Sequence, residues 1–121
     1  MTEIVIKTII RASIERCFDL SRSIDLHLDS MSDSGEKAIG GVTSGLIGLD
    51  ETVTWNARHF GIRQNFTSKI TAFESPSHFV DEMQKGAFRS FWHEHRFEEM
   101  DGATHMCDTI RYKVPLGLIG R

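Results

Sequence analysis

The stretch that decides the fold is residues 91–112, which read FWHEHRFEEMDGATHMCDTIRY. Asp101-Gly102 lies near its centre, and both residues tolerate the positive φ that a tight hairpin turn requires. Before the turn, odd-numbered side chains share one face of a strand, because successive side chains of a strand point to opposite faces. The pattern therefore predicts two antiparallel strands joined at Asp101-Gly102.

The β-rich pattern extends backward from this hairpin to cover residues 50–114. Turn-forming residues interrupt it at near-regular intervals, namely at Gly61, Ser75-Pro76-Ser77 and Lys85-Gly86. Strands joined by such short turns are antiparallel neighbours. The sequence therefore predicts a meander of about five long strands.

The N-terminal part of the chain has a different character. A β-branched run in residues 4–10 predicts one further strand. Ser13 can cap a helix over residues 13–20, and apolar spacing predicts a second short helix over residues 24–31. Five glycines within residues 35–48 indicate a loop-like, bulge-prone segment. They do not match a phosphate-binding loop, because no Gly-Lys-Ser/Thr follows them.

The order of these elements is typical of an α+β fold. We expect residues 1–121 to form a single domain, since 121 residues suit one domain and no internal repeat or linker is visible. The apolar face of the sheet needs a cover. A strongly curved sheet that grips a helix would supply one and would leave a cavity between the two.

Composition excludes several classes of function. The formal net charge is −3 and no basic block is present, which argues against nucleic-acid binding. No apolar run approaches the roughly 20 residues of a membrane span. The two cysteines form no disulfide framework, and the N-terminus shows no secretion signal, so we expect a cytoplasmic protein.

Several short stretches resemble the polyketide cyclase/dehydrase and lipid-transport-like branch of the START-like, helix-grip (SRPBCC) superfamily. These stretches are ETVTW at 51–55, ARHFG at 57–61, FVDEM at 79–83, HEHRF at 93–97 and PLG at 115–117. The superfamily includes lipid carriers, hormone receptors and cyclases. The resemblance implies a curved antiparallel sheet of six to seven strands with two short N-terminal helices.

The resemblance also implies a cover for the cavity. Superfamily members continue past the Pro-Leu-Gly segment into a long C-terminal helix, whereas this sequence stops at Arg121. We therefore expect the cover to come from residues after Arg121 or from a partner chain, and a homodimer is one such arrangement.

The inward faces of the predicted strands define a candidate binding site. If they converge, the cavity is apolar and aromatic with a few polar groups, which suits a hydrophobic small molecule. The predicted ligand-binding residues are Val53, Trp55, His59, Phe66, Phe79, Met83, Phe91, His93, His95, Met106, Asp108 and Tyr112.

The polar members of this set suggest chemistry. His93, His95, Asp81 and Asp108 are candidate catalytic residues, because a carboxylate can fix the tautomer of a histidine that exchanges protons near neutral pH. The interpretation we favour is that these groups satisfy each other's hydrogen bonds or orient a ligand. The sequence thus leans away from an enzyme.

A metal site is the weaker hypothesis for the same residues. The imidazoles of His93 and His95 project side by side, and His59 or Asp108 could complete three ligands of an open zinc site. However, a His-x-His pair arises readily by chance in a chain with six histidines. The sequence therefore predicts no metal and no cofactor.

The function predicted from the sequence is the binding or transport of a small hydrophobic ligand, such as a lipid, a polyketide-like aromatic or an isoprenoid. Two alternatives stay open. One is a cyclase or dehydratase that uses histidine and aspartate as acid and base. The other is an interaction or accessory module without a ligand.

Overall fold

The computed structural model describes residues 1–30, 35–59, 62–86 and 88–114, without the side chains of His59 and Ile62. Within these ranges the chain forms two helices and seven strands. In chain order they are β1 (Thr2–Ile10), α1 (Ile14–Ser21), α2 (Ile24–Ser30), β2 (Lys37–Gly41), β3 (Thr52–His59), β4 (Ile62–Glu74), β5 (His78–Lys85), β6 (Ser90–Met100) and β7 (Ala103–Lys113).

The seven strands form one curved, open sheet in the order β1-β7-β6-β5-β4-β3-β2. Every neighbouring pair is antiparallel. This architecture confirms the predicted α+β fold and the five long strands between residues 50 and 114. The predicted turn at Gly61 and the PLG stretch at 115–117 lie outside the described residues.

The glycine-rich segment contains more order than the sequence indicated. Residues Lys37–Gly41 form the edge strand β2, which pairs with β3 through a bulge between Ala38 and Gly40. Backbone hydrogen bonds to β3 therefore override the low strand propensity of glycine at this edge. The prediction that the segment is prone to bulges agrees with this irregular register.

The hairpin at Asp101-Gly102 has the predicted geometry. Asp101 has a φ of 55° and Gly102 has a φ of 75°, the left-handed pair that a two-residue turn between twisted strands requires. Met100 and Ala103 pair directly across the turn. The turn fixes the register of β6 on β7, and that register later decides which side chains meet.

Helix α1 packs against the sheet through one aromatic residue. Ser13 caps the helix, and its Oγ accepts a hydrogen bond from the backbone N–H of Arg16 at 3.2 Å. Phe18 is fully buried and makes edge-on contacts with Phe73, Phe79 and Phe97, at centroid distances of 5.3 to 5.4 Å. The aromatic contacts thus join α1 to β4, β5 and β6.

Candidate functional site

A cavity of about 430 Å³ opens between the two helices and strands β3 to β6. Eight of the residues predicted from strand periodicity line it: Val53, Trp55, Phe66, Phe79, Met83, Phe91, His93 and His95. Their strands bring them together because each contributes alternate side chains to the same face of the sheet. The ligand-binding role of these residues stays a prediction.

Three of the other four predicted residues are not part of the cavity wall. Met106 packs against the hydrophobic core, and Tyr112 packs against the rings of Phe88 and Phe91. Asp108 is absent from the cavity wall but contacts the two cavity histidines from β7. The side chain of His59 lies outside the described residues.

The cavity wall also carries a polar pair that was not predicted from the sequence. His27 of α2 and Glu36 both line the cavity, and His27 Nε2 lies 2.5 Å from Glu36 Oε1. The ring of His27 also packs on Trp55, with 4.4 Å between centroids. His27 follows the buried Ile24 by three residues, so helical spacing could have placed it on the inner face. No local pattern marks Glu36.

The predicted acid–histidine residues form one cluster across β5, β6 and β7. His95 Nε2 lies 2.8 Å from Asp81 Oδ2, and His95 Nδ1 lies 3.1 Å from Asp108 Oδ1. His93 Nε2 lies 3.0 Å from the same Asp108 oxygen. The two imidazole rings stack with their centroids 3.8 Å apart. Each ring therefore lies between the two carboxylates.

This arrangement fixes the protonation of His95. Both of its ring nitrogens face a carboxylate oxygen, and two such hydrogen bonds require an N–H on each nitrogen, hence an imidazolium. Burial of His95 opposes this charge, but hydrogen bonds to Asp108 and Asp81 outweigh it and raise the pKa of His95 to about 9. The cluster thus carries a buried positive charge between its two acids.

Burial and hydrogen bonds also have opposite effects on the pKa of Asp108. Burial raises the pKa of its carboxyl, but hydrogen bonds from His93 and His95 outweigh burial and hold that pKa well below its usual range. Asp108 is therefore ionised whenever the cluster is intact. Such a group of fixed charges can orient a polar ligand atom, exchange a proton or hold a cation.

The opposite face of the sheet carries a separate polar cluster of His78, Glu94 and Arg96. His78 Nε2 lies 3.0 Å from Glu94 Oε2, and Arg96 lies 3.1 Å from the same oxygen. Burial disfavours the charged carboxylate, but hydrogen bonds from His78 and Arg96 outweigh it and lower the pKa of Glu94. Neither His78 nor Glu94 lines the cavity. Strand alternation therefore separates this pair from the cavity cluster.

The chain is similar to known proteins in structure and not in sequence. No protein-family profile and no curated protein sequence matches the chain. Among solved structures, TTHA0849 from Thermus thermophilus superposes with a TM-score of 0.70 at 15% identity, over 98% of this chain and 79% of its own. Major latex-like protein 151 from Panax ginseng gives 0.67 at 14% identity, over 93% and 79%. Protein Ms6760 from Mycobacterium smegmatis gives 0.64 at 18% identity, over 91% and 71%.

The chain has the START-like, helix-grip fold. The superpositions show the fold alone. Identities this low show no shared activity, since one fold carries many functions. In this helix-grip sheet, β5 and β6 supply the acid–histidine wall, while α2 supplies His27 from outside the sheet. Across the described ranges, no helix is long and apolar enough to cross a membrane.

Proposed function

We propose that this chain binds or carries a small hydrophobic molecule, of the lipid, polyketide-like or isoprenoid kind, in the cavity between sheet and helices. The observation that carries the proposal is the cavity of about 430 Å³ itself. Its volume lies in the range of small-molecule sites, and most of the surface that its walls expose is apolar. An open cavity favours ligand binding over the accessory-module alternative.

The polar groups of the acid–histidine cluster support the proposal because they converge on one part of the wall. His93 keeps 21% of its side chain exposed and Asp81 keeps 25%, despite the hydrogen bonds within the cluster. A ligand hydroxyl or carbonyl can therefore reach them while the rest of the ligand contacts apolar walls. That combination fixes the orientation of a bound molecule as well as its affinity.

The experiment measures binding of a defined fluorescent probe, 1-anilinonaphthalene-8-sulfonate, in the presence of a chelator. The variant Ser68→Phe fills the cavity from β4, because Ser68 is buried and lines it. The matched control Thr71→Phe adds the same ring at an exposed position on the same strand. We expect Ser68→Phe to weaken probe binding at least tenfold and Thr71→Phe to leave it unchanged.

Two further measurements test the proposal on the unmodified protein. Nuclear Overhauser contacts from the probe to Trp55 and Phe91 in the unmodified protein locate binding without any variant. Native mass spectrometry of the protein purified from its own host is expected to reveal a retained apolar compound. Equal probe binding by both variants, together with no contact to Trp55 or Phe91, would refute the proposal.

The enzyme alternative has one specific observation in its favour. A cyclase or dehydratase needs a histidine within hydrogen-bond reach of a carboxylate and facing open space. His95 and Asp81 meet that geometric condition, because they are 2.8 Å apart and both line the cavity. Incubation with a linear poly-β-keto thioester tests the alternative. Cyclised product lacking one water, formed by the wild type and not by His95→Gln, would favour the enzyme; unchanged substrate would favour binding alone.

A further inference from the structure

We propose that Asp81, His93 and His95 form a binding site for a divalent transition-metal ion on the cavity wall. One nitrogen of each imidazole and one carboxylate oxygen all lie within 4.8 Å of one another. Metal binding is a separate property from the proposed binding of a hydrophobic ligand, and it can be tested with the metal alone.

The distances among the donor atoms suit a shared ion. His95 Nε2 lies 2.8 Å and His93 Nδ1 lies 3.8 Å from Asp81 Oδ2. Metal–ligand bonds of about 2.1 Å place neighbouring donor atoms about 3.0 to 3.4 Å apart in octahedral or tetrahedral geometry. The two observed distances fall on either side of that range, so small side-chain adjustments complete the site once the metal displaces the proton on His95 Nε2.

Asp108 supplies the strongest support, because it contacts the nitrogens that point away from Asp81. His95 Nδ1 lies 3.1 Å and His93 Nε2 lies 3.0 Å from Asp108 Oδ1. Metal-bound histidines characteristically donate their other N–H to a carboxylate, which fixes the tautomer and the ring orientation. Here one carboxylate serves both histidines, while the remaining nitrogens converge on the other carboxylate.

The scaffold holds these groups in place. His93 and His95 alternate along one strand, and Asp81 pairs with His93 across β5 and β6. The ring of Phe79 stacks on His95 with a centroid distance of 4.1 Å. Sites built on packed strands keep their ligand geometry better than sites on loops.

The identity of the donors indicates the class of metal. Two imidazoles and one carboxylate suit Zn²⁺, Fe²⁺ and Co²⁺, and three protein ligands leave at least one coordination position free. All three residues line the cavity, so a free position can face a ligand held there. The proposal departs from the prediction of no metal, and its third ligand is Asp81, whereas His59 or Asp108 was the candidate from the sequence.

Titration of chelator-stripped, untagged protein with Zn²⁺ alone tests the site by calorimetry. We expect one ion per chain, with affinity reduced at least a hundredfold in Asp81→Asn and in His93→Gln. Asp108→Asn should weaken binding by about 10- to 100-fold, as loss of a partner of ligating histidines does. His78→Gln is the matched control, because it alters the separate pair with Glu94 outside the cavity, and it should leave Zn²⁺ affinity unchanged.

A second measurement uses the unmodified protein, in case a variant fails to fold. Paramagnetic Co²⁺ should broaden the amide signals of residues 81, 93 and 95 most strongly. The proposal is overturned if the wild type binds no Zn²⁺, or if Asp81→Asn and His93→Gln bind Zn²⁺ as tightly as His78→Gln does. It is also overturned if Co²⁺ broadens the signals of other residues instead. The hydrophobic probe is measured in chelator and the metal without probe, so failure of one proposal is distinguishable from failure of the other.

Discussion

His95 Nε2 lies 2.8 Å from Asp81 Oδ2, although the residue directly opposite Asp81 on β6 is His93. The same diagonal relation occurs between β6 and β7. His93 Nε2 bonds Asp108 Oδ1, whereas Asp108 lies opposite His95. Diagonal neighbours on a sheet are within reach of long side chains. The two diagonals hold both imidazoles between the two carboxylates and make the protonation of the cluster part of the stability of the fold.

Stability of the chelator-treated protein should fall as pH rises through the titration of His95. The groups that face His95 are Asp81 from β5, Asp108 from β7 and the stacked His93 of its own strand. Its pKa is raised from 6.5 to about 9, so the folded state binds its proton more tightly than the unfolded state does. The contribution is complete below about pH 6.5 and is lost as pH rises through about 9.

The expected loss is about 3 kcal/mol of unfolding free energy across that window, since each unit of pKa shift corresponds to about 1.4 kcal/mol. Urea denaturation at a series of pH values measures it. The variant His95→Gln has no group to titrate and should show a flatter profile in the same window. Parallel profiles for wild type and variant would show that His95 does not carry the effect.

Removing the ring of Phe18 should loosen α1 from the sheet. Phe18 is fully buried and touches Phe73, Phe79 and Phe97, so Phe18→Ala leaves a cavity that the surrounding rings cannot fill. We expect a loss of about 3 to 5 kcal/mol in unfolding free energy, measured by urea denaturation. Leu20→Ala on the same helix, at a side chain that is 42% exposed, should cost less than about 1 kcal/mol. Similar losses for the two variants would contradict the role of Phe18.

Gly41 and Gly45 separate a steric effect from a conformational one. Both have a positive φ, 68° and 76°, which disfavours any residue with a Cβ. A Cβ on Gly41 would clash with the backbone oxygen of Thr52, whereas a Cβ on Gly45 would meet nothing within 4 Å. We expect Gly45→Ala to cost about 1 kcal/mol and Gly41→Ala about 3 kcal/mol or more. Thermal or urea unfolding compares them, and equal costs would exclude the clash with β3.

The cap of α1 should be worth about 1 kcal/mol, the usual cost of replacing an N-cap serine by alanine. Ser13 Oγ accepts the otherwise unpaired N–H of Arg16, so Ser13→Ala should lower the unfolding free energy by that amount. Ser13→Asp keeps an acceptor at the same place and should restore most of the stability in urea denaturation. A variant Ser13→Asp as unstable as Ser13→Ala would show that the cap does not act through this hydrogen bond.

Local patterns in the sequence determined the elements and the faces. Period-two alternation placed His93 and His95 on one face, the Asp101-Gly102 pair predicted its hairpin, and Ser13 predicted the start of α1. These features depend on a few neighbouring residues, so they can be predicted without knowing how the rest of the chain folds. Edge strand β2 was missed because its pairing with β3, and not its own composition, makes it a strand.

The tertiary structure alone decided which of these side chains meet. A shift of a strand by two residues preserves the alternation of its faces but changes every partner, so period-two reasoning could not choose the carboxylates that reach His95. Strand register selected Asp81 and Asp108. The pair formed by His27 and Glu36 likewise depends on how α2 lies over the sheet. The sequence therefore determined the curved sheet and the residues available to its cavity, and strand register and helix packing decided which of them come into contact.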